Sequence, residues 1–195
     1  MTPLSPETRI AVLARMVKAP LERPLGRTQI MKLFYFLQEL KGVPLGYDFR
    51  LFNYGPFDSE VLGDLASACG LAVVSETPVF YARGYGYAIT PGVNAEKFSR
   101  EFEENAPVLA TQVDEVVREF GGLGAAELEL QSTILFVDRE WSQAGVLGTD
   151  QTLTSRVREI KPHFTEDTIL ARLHKMKEKG WIESVRGSTG SSTPA

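Results

Sequence analysis

Residues 27–41, RTQIMKLFYFLQELK, constrain the fold more than any other stretch, because their apolar side chains leave almost no face for water. At helical spacing Ile30, Leu33, Phe34, Leu37 and Leu40 form one stripe, and Met31, Tyr35 and Phe36 widen it over most of the circumference. A helix of that kind has to be enclosed on several sides, so it is expected at the centre of an N-terminal core. Lys32, Gln38 and Glu39 are left for its polar side, with Lys32 expected to snorkel to solvent. Its ends are marked in the sequence. Pro20 and Pro24 lie in a stretch that cannot be helical, since proline lacks the amide donor and clashes with the preceding turn, and Gly42-Val43-Pro44-Leu45-Gly46 closes the far side.

Around this helix the chain alternates helical and extended patterns. Ser5-Pro6 opens a first helix with Ile10, Leu13, Met16 and Val17 inward. Residues 47–53 alternate weakly, as a short extended segment does, and Tyr54-Gly55-Pro56 then turns the chain. Asp58 or Ser59 caps a helix that places Val61, Leu62, Leu65 and Cys69 inward and stops at Gly70. Two or three β-rich segments between residues 71 and 90 predict a hairpin. Residues 94–120 form an acidic amphipathic stretch interrupted by Pro107, and Gly121-Gly122-Leu123-Gly124 marks a domain boundary. Beyond it come three helical patterns, at residues 125–141, 153–160 and 165–179, and a terminal strand at Trp181-Ile182-Glu183.

The expected architecture is therefore mainly α with small β-hairpins, an α+β chain of two winged-helix-like modules. Module one covers residues 1–93 and module two covers 122–186. An acidic helical connector, 94–121, joins them and is expected to carry a homodimer contact, and the tail 187–195 is expected to be disordered because it has nothing to bury.

Composition narrows the function. The single Cys69 rules out an internal disulfide, and His163 and His174 do not supply the soft-ligand cluster of a structural zinc site, so neither metal nor cofactor is expected. No apolar run approaches the roughly 20 residues of a membrane span. The N-terminal segment lacks the basic and apolar regions of a signal peptide, so a cytoplasmic protein without membrane contact is expected. Walker loops, nucleophile elbows and paired-carboxylate motifs do not occur, and Cys69 reads as a core cysteine rather than a nucleophile, so the chain is expected not to be an enzyme.

Two groups of residues stand out as binding surfaces. The formal net charge is −4, yet residues 152–186 hold eight basic and five acidic side chains. Arg172, Lys175 and Lys179 share one face of the last helix opposite Ile169, Leu173 and Met176, and Arg156, Arg158 and Lys161 extend a basic surface for nucleic acid. An ordinary solvated face reads the same way. The helix after the Gly-Pro turn carries Asp58, Glu60 and Asp64 and no cation, which repels phosphates, so the turn Asn53, Tyr54, Gly55, Pro56 and Phe57 is assigned to a protein partner. Its structural alternative has Tyr54 packed on Phe34.

The strings Lys32-Leu33-Phe34-Tyr35-Phe36-Leu37-Gln38, Gly42-Val43-Pro44-Leu45 and Phe52-Asn53-Tyr54-Gly55-Pro56-Phe57 resemble the YwgA-like uncharacterised prokaryotic proteins. That resemblance extends through Glu127-Leu128-Glu129-Leu130 and Glu159-Ile160-Lys161-Pro162-His163-Phe164. Over about residues 27–57 the chain also looks, more distantly, like the Panacea domain of bacterial antitoxins, with Phe52 where that pattern has tryptophan and Phe57 where it has valine. The resemblance implies a non-catalytic helical module, a regulator or adaptor, with neutralisation of a partner toxin as the antitoxin-like alternative.

Overall fold

In a computed structural model of the chain, residues 2–81 and 84–185 are described. Their order is α1 (Pro6–Lys18), α2 (Arg27–Lys41), β1 (Arg50–Phe52), β2 (Gly55–Phe57), α3 (Ser59–Gly70), β3 (Val74–Tyr81), β4 (Gly84–Pro91), α4 (Ala95–Asn105), α5 (Pro107–Phe120), α6 (Ala125–Gln143), α7 (Asp150–Ile160) and α8 (Glu166–Glu178). The chain is mainly helical, with two small antiparallel hairpins, β1–β2 and β3–β4. It forms two compact units that divide inside α6, after Glu129, rather than at Gly121–Gly124.

The first unit is built on α2. Its residues 30–37 are all buried, as its apolar circumference demands, and Phe36 stacks on Phe120 of α5 with ring centroids 4.0 Å apart. Gly42 ends the helix in the left-handed conformation that glycine adopts without a Cβ clash. Helix α1 starts at Pro6 behind Ser5, whose side chain accepts from the Thr8 amide, and packs on α3, α4 and α5. Pro78 does not split the long hairpin: β3 runs through it, paired with Tyr87, and the core face of the ribbon is carried by Val74 and Ile89.

The stretch 94–121, expected as a connector, is part of this unit. Pro107 occupies the first position of α5, where its missing amide costs nothing, so the chain breaks into two helices there. Phe102, Val113, Val116, Val117 and Phe120 are buried, α4 lies on α1, and α5 lies on α1 and α2. The apolar residues of this stretch serve the unit's own core.

Polar groups inside the first unit are organised around Asp64. It was expected on the outer, acidic side of its helix and is instead 6% exposed, because the inward stripe of α3 is Val61, Asp64, Leu65 and Ala68. Arg9 donates to its carboxylate through Nε at 2.7 Å and Nη2 at 3.3 Å, and the Tyr47 hydroxyl donates to it at 2.6 Å. The guanidinium lies 4.9 Å from the Tyr47 ring centre and reaches the Leu45 carbonyl at 3.3 Å. One carboxylate thus ties α1, α3 and the strand-like segment before β1. Burial, and then the hydrogen bond to Asp64, hold the Tyr47 hydroxyl well above the ordinary phenol range.

The second unit contains the rest of α6 with α7 and α8, whose inward residues Ile134, Leu135, Val137, Leu153, Val157, Ile169, Leu173 and Met176 are buried. Its polar anchor is Asp138, fully buried, which accepts from the Ser184 amide at 2.8 Å, the Ser184 hydroxyl at 2.7 Å and the Glu183 amide at 3.0 Å. Residues 181–183 do not form the expected strand. The Glu183 and Ser184 amides serve the Asp138 carboxylate, the Trp181 amide bonds to the Met176 carbonyl, and the sheet contact is a parallel bridge between Gly148 and Val185. Gly148 is required there, since a Cβ would sit 2.3 Å from the Trp141 ring. Arg186 and the tail 187–195 lie outside the described residues.

Replacing Asp64 with alanine strands the Arg9 guanidinium and Tyr47 hydroxyl without their main acceptor, and unfolding in urea should require about 3–5 kcal/mol less work. Tyr47→Phe removes one hydrogen bond to a charged group and should cost about 1.5–3 kcal/mol. Wild-type stability in both variants would contradict the role given to this cluster.

Candidate docking site

In the hairpin β1–β2 Arg50 pairs with Phe57, Leu51 with Pro56 and Phe52 with Gly55, so a two-residue loop, Asn53-Tyr54, closes it. Asn53 and Tyr54 at its tip keep negative φ, so the turn is not of the type that needs two left-handed residues, and Gly55 at φ 85° absorbs the reversal. The base is fixed by Asp58. Its carboxylate caps α3 through the Glu60 amide at 2.8 Å and also accepts the Asp48 amide at 2.6 Å. From below, the Lys32 ammonium donates to the Pro56 carbonyl at 2.6 Å.

Lys32 is thus not a snorkelling residue. It is 2% exposed, because a helix that is apolar on all sides has no wet face for the side chain to reach.

Above Lys32, the first turns of α2, the hairpin and α3 enclose a pocket of about 310 Å³. Arg27, Thr28, Met31 and Lys32 line it from α2, Phe52, Asn53, Tyr54, Gly55 and Phe57 from the hairpin, and Leu62 from α3. Its wall is predominantly apolar. Phe52 and Phe57 meet edge to face at 5.3 Å, and the Arg27 guanidinium is held away by Glu76, at 2.5 and 2.6 Å, and by the Tyr87 ring at 3.7 Å. Tyr54 does not pack on Phe34. It is 72% exposed, Phe52 is 58% exposed, and the edge contact of Phe34 is with Tyr47 at 5.4 Å. Four of the five residues assigned to the docking turn, Asn53, Tyr54, Gly55 and Phe57, line this pocket, Pro56 offers its carbonyl to Lys32 beside it, and Arg27, Met31, Lys32 and Leu62 join them.

A wider hollow of about 550 Å³ between α1, α4 and α5 is lined by Arg15, Lys18, Ser99, Asp114 and Arg118. Two of its cations are matched within the unit: Arg15 binds Asp114 at 2.7 Å and Glu103 at 2.8 Å, and Lys18 pairs with Glu96. The bond to Asp114 raises the Arg15 pKa and the bond from Lys18 lowers that of Glu96.

The basic residues of the second unit do not assemble as expected. Lys161 is 3% exposed, and Arg158 donates to the Phe164 carbonyl beside it, so both serve the turn between α7 and α8. Arg156 is exposed and pairs with Glu159 at 3.0 Å. Arg172 is half-buried, Lys175 is exposed, and Lys179 lies 4.9 Å from the Trp181 ring centre. The flanking Lys177 binds Asp150 at 2.6 Å. Counted over residues 130–195, nine basic side chains face eight acidic ones, so the excess of charge belongs to a window cut at Thr152 and not to the folded unit.

Cys69 is half-buried near the end of α3. Among the described residues no group of three or more histidine, cysteine or carboxylate side chains could hold a metal ion, and no helix is long and apolar enough to cross a membrane. Comparison with known protein families finds none that matches the chain, and comparison with curated proteins finds no match either.

Two expectations test these placements. Lys161→Glu puts an anion where a buried cation was and should cost at least about 2 kcal/mol of stability in thermal unfolding, while Arg156→Glu should stay within about 0.5 kcal/mol of wild type. Equal effects would place Lys161 on the surface after all. The Cys69 thiol is pushed above its ordinary pKa by burial and by Glu76, against a smaller opposing pull from Arg27. Thiolate is then scarce at neutral pH, so alkylation by iodoacetamide should run slower than for free cysteine and accelerate as pH rises beyond the usual thiol range. Faster reaction than free cysteine at neutral pH would reverse that assignment.

Proposed function

We propose that the chain is a non-catalytic docking module, an adaptor or regulator whose first unit holds a protein partner at the β1–β2 hairpin and the pocket beneath it. One observation carries this reading: Phe52 and Tyr54 stand exposed beside an apolar pocket on a turn whose backbone is fixed by Gly55, Asp58 and the Lys32–Pro56 bond. Rigid aromatic side chains beside a desolvated pocket are what binding hot spots are made of, because they bury much area and lose little rotamer freedom. The module is read as winged-helix-like, supported by the β3–β4 hairpin that follows α3 and packs against it. Neutralisation of a toxin is the special case in which the partner is a toxin.

For the nucleic-acid half of the expectation, Arg156, Lys175 and Lys179 are the exposed residues that would have to carry it. They are balanced by the exposed Glu159, Glu166, Asp167 and Glu178 on the same two helices and the turn into α8, which argues for a solvated face.

The test is co-purification from the native host with three forms of the chain. Phe52→Ser with Tyr54→Ser touches exposed side chains and should leave the fold intact while reducing any stoichiometric partner at least tenfold. Arg156→Glu with Lys175→Glu and Lys179→Glu should retain the partner in full. Loss in the charge variant with retention in the aromatic variant would move the docking surface to the second unit.

A further inference from the structure

Among the described residues the exposed aromatic side chains are Phe52, Tyr54, Phe80 and Tyr85, at 58, 72, 82 and 67% exposure. They come from the far ends of two hairpins, yet they belong to one surface. Arg27 lines the pocket beside Phe52 and Tyr54, and its guanidinium lies 3.7 Å from the Tyr87 ring centre. Tyr87 meets Tyr85 edge to face at 5.8 Å, and Phe80 stands directly opposite Tyr85 in the β3–β4 register, where facing side chains share one side of the ribbon. The charges within this run, Arg27 and Glu76, are forked onto each other.

Four rings of roughly 150–250 Å² each, at those exposures, present roughly 400–700 Å² to water. A standard protein interface takes about 800 Å² from each partner, so most of one is already here. The surface is also self-complementary. One end holds a ring out into water, Phe80, and the other end offers an apolar pocket of about 310 Å³ with room for a ring. Charge points the same way: residues 1–129 carry seventeen acidic and twelve basic side chains, so two copies repel except where their charges are paired, as Arg27 and Glu76 are.

We propose that the occupant of the pocket under the β1–β2 hairpin is the Phe80 ring of a second copy of this chain, inserted while the first copy's Phe80 enters the second copy's pocket. The two contacts are equivalent under a twofold axis, so the assembly closes as a dimer. Tyr85, beside Phe80, covers the rim formed by Phe52 and Tyr54. This inference rests on the docking reading above and names its partner, which is the chain itself. The homodimer contact expected at residues 94–121 is thereby placed at the two hairpins instead.

The test is the mass of the full chain by sedimentation equilibrium at about 10–100 micromolar, a range in which a micromolar dimer is mostly paired. Wild type should sediment at twice 21.6 kDa. Phe80→Ser removes the protruding ring, and Thr28→Trp fills the mouth of the pocket from an exposed position on α2. Each should leave the circular dichroism spectrum unchanged and raise the dimer dissociation constant at least about tenfold. Leu147→Ser, at an exposed apolar residue of the second unit, should leave it as in wild type. A wild-type chain of one-copy mass throughout overturns the second copy as occupant, and the docking reading is then judged separately by the co-purification above. A dimer that survives both Phe80→Ser and Thr28→Trp overturns the reciprocal contact. So does a mass that climbs past two copies, since ring-in-pocket pairing that does not close builds open chains.

Discussion

The Asp64 carboxylate is the interaction on which the first unit depends. It gathers a guanidinium from α1 and a phenol from the segment before β1, and it does so from the inward stripe of α3. A buried charge costs several kcal/mol to desolvate, and that cost is offset only when each of its acceptor sites is used in good geometry. Removing any member therefore leaves the others exposed to the full penalty, and the three segments are locked in one relative arrangement. This arrangement fixes where β1 begins, so the docking hairpin inherits its position from a cluster in which none of its own residues takes part.

Helix boundaries were legible because they are written in residues with a single physical meaning. Pro6, Gly42 and Pro107 start or stop α1, α2 and α5 for reasons of backbone geometry alone, and the sequence expectation at each agrees with the structure. The inward stripes of α2 and α8 were legible for the same reason, since an apolar side chain at helical spacing has one stable place to go. The terminal strand failed because the amides of 183 and 184 found a better acceptor in Asp138, a long-range partner that local propensity does not encode.

What was not legible were the buried polar groups. Arg9, Lys32, Asp64, Asp138 and Lys161 are all at or below 6% exposure, and each is a residue type that usually faces water. Periodicity alone would have placed Asp64 and Lys32 inside, yet the residue type argues for outside, and only the presence of a partner far along the chain decides between them. Arg9 and Asp64 are 55 residues apart, and Lys32 and Pro56 are 24 apart. The same error inflated the basic surface of the second unit, where Lys161 was counted as solvent-facing.

The docking hairpin combines the two kinds of information. Its turn was recognisable from Gly55-Pro56, while its meaning as a site comes from what lies on either side. Above it, Tyr54 and Phe52 stay exposed although the unit buries nearly every other aromatic ring of α2 and β1's approach, Phe34, Tyr35, Phe36, Tyr47 and Phe49. Below it, a lysine is held in the core against a main-chain carbonyl. An apolar residue at position 32 would fill that space without a desolvation cost, and a serine or threonine at the tip would satisfy the turn without exposing a ring. The rings of Phe52 and Tyr54, left in water, are the part of this hairpin that the unit's own packing does not use and on which the proposed docking role depends.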